Sequence, residues 1–151
     1  MTKAEDACRY FSGSFNCSQS VFTPFGKEKG MSENDCLRIS TAFGGGMGRQ
    51  QLTCGAVTGA LMALGILDGR GLHDDVSKKD QAYSKAREFF MEFVKLNGSV
   101  TCRELLHGLD MNDPEDQKEI ERLGLFRTDC MKYVKDAVEI VERISGLETT
   151  P

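Results

Sequence analysis

The chain carries six cysteines, at positions 8, 17, 36, 54, 102 and 130, and they are its most chemically capable residues. Four share one local setting. Cys17 follows Asn16, Cys54 follows Thr53, Cys102 follows Thr101 and Cys130 follows Asp129. Each predecessor is a favoured N-cap residue, which predicts each cysteine in the first turn of a helix. Amides point outward there and the helix dipole favours an anion, so a thiolate gains acidity, metal affinity and redox reactivity. The setting is best defined at Cys102, because Thr101-Cys102-Arg103-Glu104 reads as a capping box. It is least defined at Cys130, whose helix has a second plausible start near Phe126. Cys8 lies inside a helical segment and Cys36 on an apolar stripe, and both read as packing residues.

The spacings name no known metal motif. Gaps of 37, 48 and 28 residues contain no C-x-x-C and match no zinc ribbon or ferredoxin run. A site built from these four must be gathered by the fold from separate helices. His73, in a polar loop, and His107, near the end of a short helix, are alternative ligands. A surface or capping role is the ordinary expectation for each.

The stretch Phe43 to Gly65, FGGGMGRQQLTCGAVTGALMALG, sets a glycine run ahead of Cys54. It is not G-x-G-x-x-G, lacks the Gly-Lys-Ser/Thr of a P-loop, and follows a helix, so a nucleotide site is not expected. The glycines predict a tight turn and close backbone approach beside Cys54. Arg49 reads as a solvated surface cation or as a partner for a thiolate or an anionic ligand. Gly55 and Gly59 predict another backbone packed on their helix, with room for a cofactor beside Cys54 as the alternative at Gly55.

The elements that must position these residues read as helices, with no convincing strand. Residues 3–12 form the first, with Ala4, Ala7, Cys8 and Phe11 inward and Gly13 at the end. The second runs from Cys17 to about Phe25 despite Pro24. The third starts at Ser32 and carries Cys36, Ile39, Ser40 and Phe43 at helical spacing. The fourth, from Cys54 to about Leu67, is apolar nearly all round and is expected at the centre of the fold. A long helix follows near 77–97, with Tyr83, Ala86, Phe89, Phe90, Phe93 and Val94 inward. The polar segment 109–124 predicts at most a helical turn after Asp113-Pro114. A last helix from about Asp129 to Ile144 faces Val134, Ala137, Val138 and Val141 inward. Without linker or repeat, the 151 residues read as one all-α domain, residues 1–151.

Composition excludes some functions. The net charge is −4 with no basic face, which argues against nucleic-acid binding. The longest apolar run, Ala56 to Leu67, is too short to span a bilayer, so no membrane insertion is expected. The charged start MTKAEDACRYF lacks a signal-peptide core, so a cytoplasmic location is expected. Six cysteines are also too sparse for a disulfide scaffold, which needs more than about 8–10%.

The segment around Cys54-Gly55-Ala56-Val57-Thr58-Gly59, with NCSQSVF upstream and a cysteine in each of two later helices, resembles the redox-active family named for its C…GCAxxG…C…C pattern. The resemblance spans nearly the whole chain. Its four recurrent cysteines fall on Cys17, Cys54, Cys102 and Cys130, although Thr53 stands where the pattern has its leading glycine. The resemblance implies a small helical protein with redox activity, or one holding a metal or an iron–sulfur centre. Four thiolates suit an iron–sulfur cluster or a tetrahedral metal such as zinc. Arg49 and Gly55 would then lie beside the cofactor, and an oxidoreductase or a transport-associated redox protein is the expected partner. A second reading is a cofactor-free thiol–disulfide protein cycling Cys54 with a partner, Cys17 foremost. A third is a helical binding module whose cysteines only pack.

Overall fold

The computed structural model describes residues 1–147. Its helices are α1 (Lys3–Ser12), α2 (Cys17–Glu28), α3 (Glu33–Ser40), the one-turn α4 (Gly44–Met47), α5 (Gly55–Asp68), α6 (Ser77–Asn97), the one-turn α7 (Cys102–Leu105), α8 (Pro114–Leu123) and α9 (Asp129–Ile144). A 3-10 turn at Thr41–Phe43 joins α3 to α4. Among the described residues, extended pairing is limited to one antiparallel bridge between Thr53 and Thr101. The fold is all-α, as the sequence predicts. None of the described helices is long and apolar enough to cross a membrane.

Local signals place most of the boundaries. At α1, the Thr2 hydroxyl accepts from the Glu5 amide at 3.0 Å and the Glu5 carboxylate accepts from the Thr2 amide at 2.8 Å, a complete capping box. Ser32 starts α3 by accepting from the Asp35 amide at 3.0 Å. Gly98 ends α6 in the left-handed conformation, at φ 85°. Other expectations change. The inward side of α1 is Ala4, Ala7 and Tyr10, with Cys8 only partly buried. In α3, Cys36 and Ser40 turn inward while Ile39 is exposed. Only Phe89 and Phe93 are fully buried on α6, and Tyr83 and Val94 face solvent, because α6 packs on α5 and α9 from one side.

The largest correction is at 109–124. This segment forms α8, ten residues long, capped by the Asp113 carboxylate accepting from the Asp116 amide at 3.0 Å with Pro114 as first helical residue. Its one buried residue is Ile120. A single anchor leaves too thin an apolar stripe for periodicity to register.

Two helices share the centre. The first half of α5, Gly55 to Ala60, is buried on every side, as expected. So is α2 from Ser18 to Gly26, which its Ser, Thr and Gln content did not suggest. Of these polar side chains Ser20 bonds locally, its hydroxyl donating to the Asn16 carbonyl at 2.7 Å, whereas the buried Ser18 and Thr23 hydroxyls have no partner among the described residues. Helix α9 closes the core with Val134, Ala137, Val138 and Val141, all fully buried. Each such valine contributes about 1.5–3 kcal/mol relative to exposure. Cys36 is a packing residue, since a Cβ on Gly26 would come within 2.5 Å of its sulfur.

The α2–α5 contact is backbone on backbone. A Cβ on Gly59 would stand 2.7 Å from the Ser18 carbonyl oxygen and 3.1 Å from its Cα. Neither is a flexible side-chain tip, so α2 would have to move. Gly59→Ala is expected to lower stability by about 1–3 kcal/mol. Gly65→Ala, on the same helix but with nothing within 4 Å of the new methyl, is expected to raise it by about 0.5–1 kcal/mol. Denaturant midpoints of the two variants check both signs. A stabilised Gly59→Ala would show that the contact is slack.

Candidate functional site

Each of the four cysteines is placed by a different local device. Cys17 is the first residue of α2, behind an Asn16–Gln19 capping box with both arms at 3.0 Å. The same two side chains reach sideways, Asn16 Nδ2 donating to the Thr41 carbonyl at 2.9 Å and Gln19 Nε2 to the Leu37 carbonyl at 3.0 Å. This locks the start of α2 to the end of α3. Cys54 sits at the N-cap of α5 rather than inside its first turn. Cys102 is the first residue of α7, and Cys130 the second of α9. The predicted Thr101 capping box is absent: that side chain makes no cap bond. Thr128, not Asp129, precedes α9, so Asp129 is already helical.

What replaces the missing cap is a pairing between distant segments. The Cys54 amide donates to the Val100 carbonyl at 2.8 Å, and the Cys102 amide donates to the Leu52 carbonyl at 2.6 Å. Residues 52–54 and 100–102 thus lie antiparallel, and their register sets Cys54 beside Cys102. Gln51 reinforces them. It is buried, its Nε2 donates to the Leu109 carbonyl at 2.9 Å, and its Oε1 accepts from the Met111 amide at 2.8 Å. Sequence reasoning passed over Gln51, since nothing local marks a glutamine that bonds residues so far along the chain.

The glycine run is a left-handed turn. Gly45, Gly46, Met47, Gly48 and Arg49 all have φ between 60° and 68°. A Cβ on Gly46 would meet Cys102 Cβ at 2.7 Å and Gln51 Cα at 2.6 Å. The close approach expected beside Cys54 is therefore made to Cys102. Gly55 serves Cys54 instead: a Cβ there would stand 3.1 Å from Cys17 Cβ and from the Ser18 amide nitrogen. Helix α2 occupies that side of Gly55, which is the packing arrangement, and it brings Cys17 next to Cys54.

The four thiols line one cavity of about 1110 Å³, together with Gly55, the glycine turn and Arg49. Cys54, Cys102 and Cys130 are buried and Cys17 partly so. Cys8 and Cys36 are not in its wall. Cys17 and Cys130 are direct neighbours, and the interaction with Cys130, ahead of burial, holds the Cys17 thiol well above its ordinary value. Burial pushes Cys54 up to about 12, with the amides of Ala56 and Val57 pulling the other way. Burial also lifts Cys102 to about 11. The acidity expected of a thiol at a helix start is thus overturned at Cys54: its helix start favours the thiolate, but loss of water costs the charge more. Arg49 is exposed, and neighbouring thiols and amides dominate the electrostatics of Cys54.

Neither histidine joins the thiols. His107 Nε2 lies 2.9 Å from the Asp129 carboxylate, holding that carboxyl below its usual range, and His73 is exposed. Among the described residues, no group of three or more Cys, His, Asp or Glu side chains stands in an arrangement that could hold a metal ion.

The chain is thus all-α, with four cysteines from four helix starts around one cavity. The chain belongs to the family described as "Putative redox-active protein (C_GCAxxG_C_C)", whose pattern matches residues 15–144. It is also similar to an uncharacterized protein of Archaeoglobus fulgidus, 27% identical over 132 residues that cover 83% of this chain and 81% of the relative. No solved structure matches it.

The raised thiol of Cys54 has a stability consequence. Between the ordinary value of 9.0 and about 12 the folded chain holds a proton that the unfolded chain releases. Its contribution is complete below about pH 9 and is lost as pH rises through that window. Reduced protein is expected to lose stability above pH 9, and Cys54→Ala to lose it less steeply. Denaturant midpoints against pH measure this. Identical slopes in the two proteins would place the Cys54 thiolate in water.

Proposed function

We propose that this is a redox protein whose Cys17, Cys54, Cys102 and Cys130 thiolates hold an iron–sulfur cluster. The observation that carries the reading is the convergence of four thiols, from four separate helix starts, on one cavity. The donor set fits. It is thiolate only, which suits iron–sulfur clusters, although among the described residues the side chains do not stand in an arrangement that could hold a metal ion, so loading requires the thiols to draw together. When bound, such a cluster supplies one-electron transfer.

The chain's own residues do the rest. Burial of Cys54, Cys102 and Cys130 keeps water from their sulfurs. The amides of Ala56 and Val57 offer positive dipole to an anionic sulfur at Cys54. Each ligand must shed its proton, and at least Cys17, Cys54 and Cys102 hold theirs tightly, so loading strengthens as pH rises. An oxidoreductase or a transport-associated redox protein is the partner such a centre would serve.

The test is anaerobic loading of the reduced chain with iron and sulfide, followed by metal analysis and visible absorption. The unsubstituted chain, Cys8→Ser and Cys36→Ser are expected to load equally. Serine at any one of positions 17, 54, 102 or 130 is expected to cut the bound iron at least severalfold. A chain that stays colourless overturns the reading. A cofactor-free dithiol–disulfide cycle is the second reading, and the neighbouring pair Cys17 and Cys130 favours it. It predicts loss of two titratable thiols per chain on mild oxidation, abolished by Cys130→Ser.

A further inference from the structure

The cavity is larger than the four thiols require. At about 1110 Å³ it exceeds the range of about 300–1,000 Å³ usual for small-molecule sites. Its wall runs from buried thiols to exposed residues, Arg49, Phe126 and Arg127 among them, so it opens to solvent. The two arginines are its cationic side chains, against one carboxylate, Glu121. In a chain of net charge −4 this is a local reversal of sign.

Both arginines are laid across glycines of the cavity wall. A Cβ on Gly45 would meet Arg49 Cγ at 2.9 Å, and a Cβ on Gly124 would meet Arg127 Nη2 at 3.3 Å. Both glycines are left-handed, at φ 65° and 66°. Arg49 itself has φ 64°, a costly conformation for a residue with a side chain. Asn112 steadies it by donating from Nδ2 to the Arg49 carbonyl at 2.9 Å. Among the described residues neither arginine forms an ion pair, as is also true of Arg38, Arg70, Arg87 and Arg103, so both guanidinium groups are free to meet an anion. The aromatic rings of Phe11, Phe15 and Phe126 line the same cavity.

We propose that the cavity binds a small organic anion with a flat apolar body, its charge on Arg49 and Arg127 and its body against these rings, directly over the four thiols. The inference rests on the proposed centre as the floor of the site, and it makes the cavity a place where a ligand meets that centre. Guanidinium groups suit carboxylate and phosphate alike.

The test uses two aromatic disulfide reagents of different charge on the reduced, metal-free chain carrying Cys8→Ser. One is the dianion 5,5′-dithiobis(2-nitrobenzoate) and the other the neutral 4,4′-dithiodipyridine. The ratio of anionic to neutral labelling rates is the readout, measured at about pH 9 to supply thiolate. Arg49→Gln with Arg127→Gln is expected to lower the ratio about tenfold, and the Lys pair to keep part of it. Phenyl phosphate is expected to slow labelling of the parent and not of the Gln variant. Arg38→Gln with Arg87→Gln, which changes the same net charge away from the cavity, is expected to leave the ratio unchanged. An unchanged ratio in the cavity variant, or an equal fall in the control, overturns the anion site. Iron loading of the same variants keeps the two proposals apart. Loading with no charge preference defeats only the anion site, and charge preference without loading in the parent defeats only the cluster.

Discussion

The contact on which the arrangement depends is the approach of α2 to α5 over Gly55 and Gly59. Two buried helices lie backbone to backbone there, and the same contact sets Cys17 beside Cys54. Glycine in a helix interior costs about 1 kcal/mol relative to alanine, and the gain offsetting it is the close packing of two apolar surfaces. Core and site are therefore one construction. The first turn of α2 supplies Cys17, and the next two supply the buried face.

The second organising constraint is electrostatic. Burial and the neighbouring thiols favour the neutral form of Cys17, Cys54 and Cys102, and one charge among them discourages the next. Helix-start amides favour thiolates but are outweighed at Cys54 by desolvation. A positive centre or an S–S bond would relieve both penalties, and each corresponds to a redox chemistry available to these sulfurs. Arg49 and Arg127 lie further out, exposed to water at the cavity wall.

Sequence was informative where the cause was local. Asn16 before Cys17, Ser32 before α3 and Asn97-Gly98 after α6 are decided by their immediate neighbours, and those boundaries were legible. The grouping of Cys17, Cys54, Cys102 and Cys130 apart from Cys8 and Cys36 rested on a favoured N-cap residue before each, a signature that holds in full only at Asn16 before Cys17. Features set by distant residues were not legible. Nothing near Thr53 announces a bridge to Thr101, and nothing near Gly46 announces Cys102 as the atom it must clear. Helix α8 stayed hidden because one buried Ile120 gives no periodicity. The acidity of Cys54 was misjudged for a related reason: the helix start is written locally, while the burial that outweighs it comes from α2, α7 and α9. Arg127 and Phe126 gave no signal, since their meaning lies only in which cavity they line.

The bridge between Thr53 and Thr101 joins the two ends of a loop that contains both α5 and α6. Closing so long a loop costs chain entropy before it yields any contact, although folding of the two helices shortens the distance to be closed. No two of the four cysteines are near one another in the chain, so no fragment emerging during synthesis can gather them. The last arrives only with α9. The centre is thus a late product of folding, assembled when the whole chain is in place. A partly made or partly opened chain has four scattered thiols in its stead.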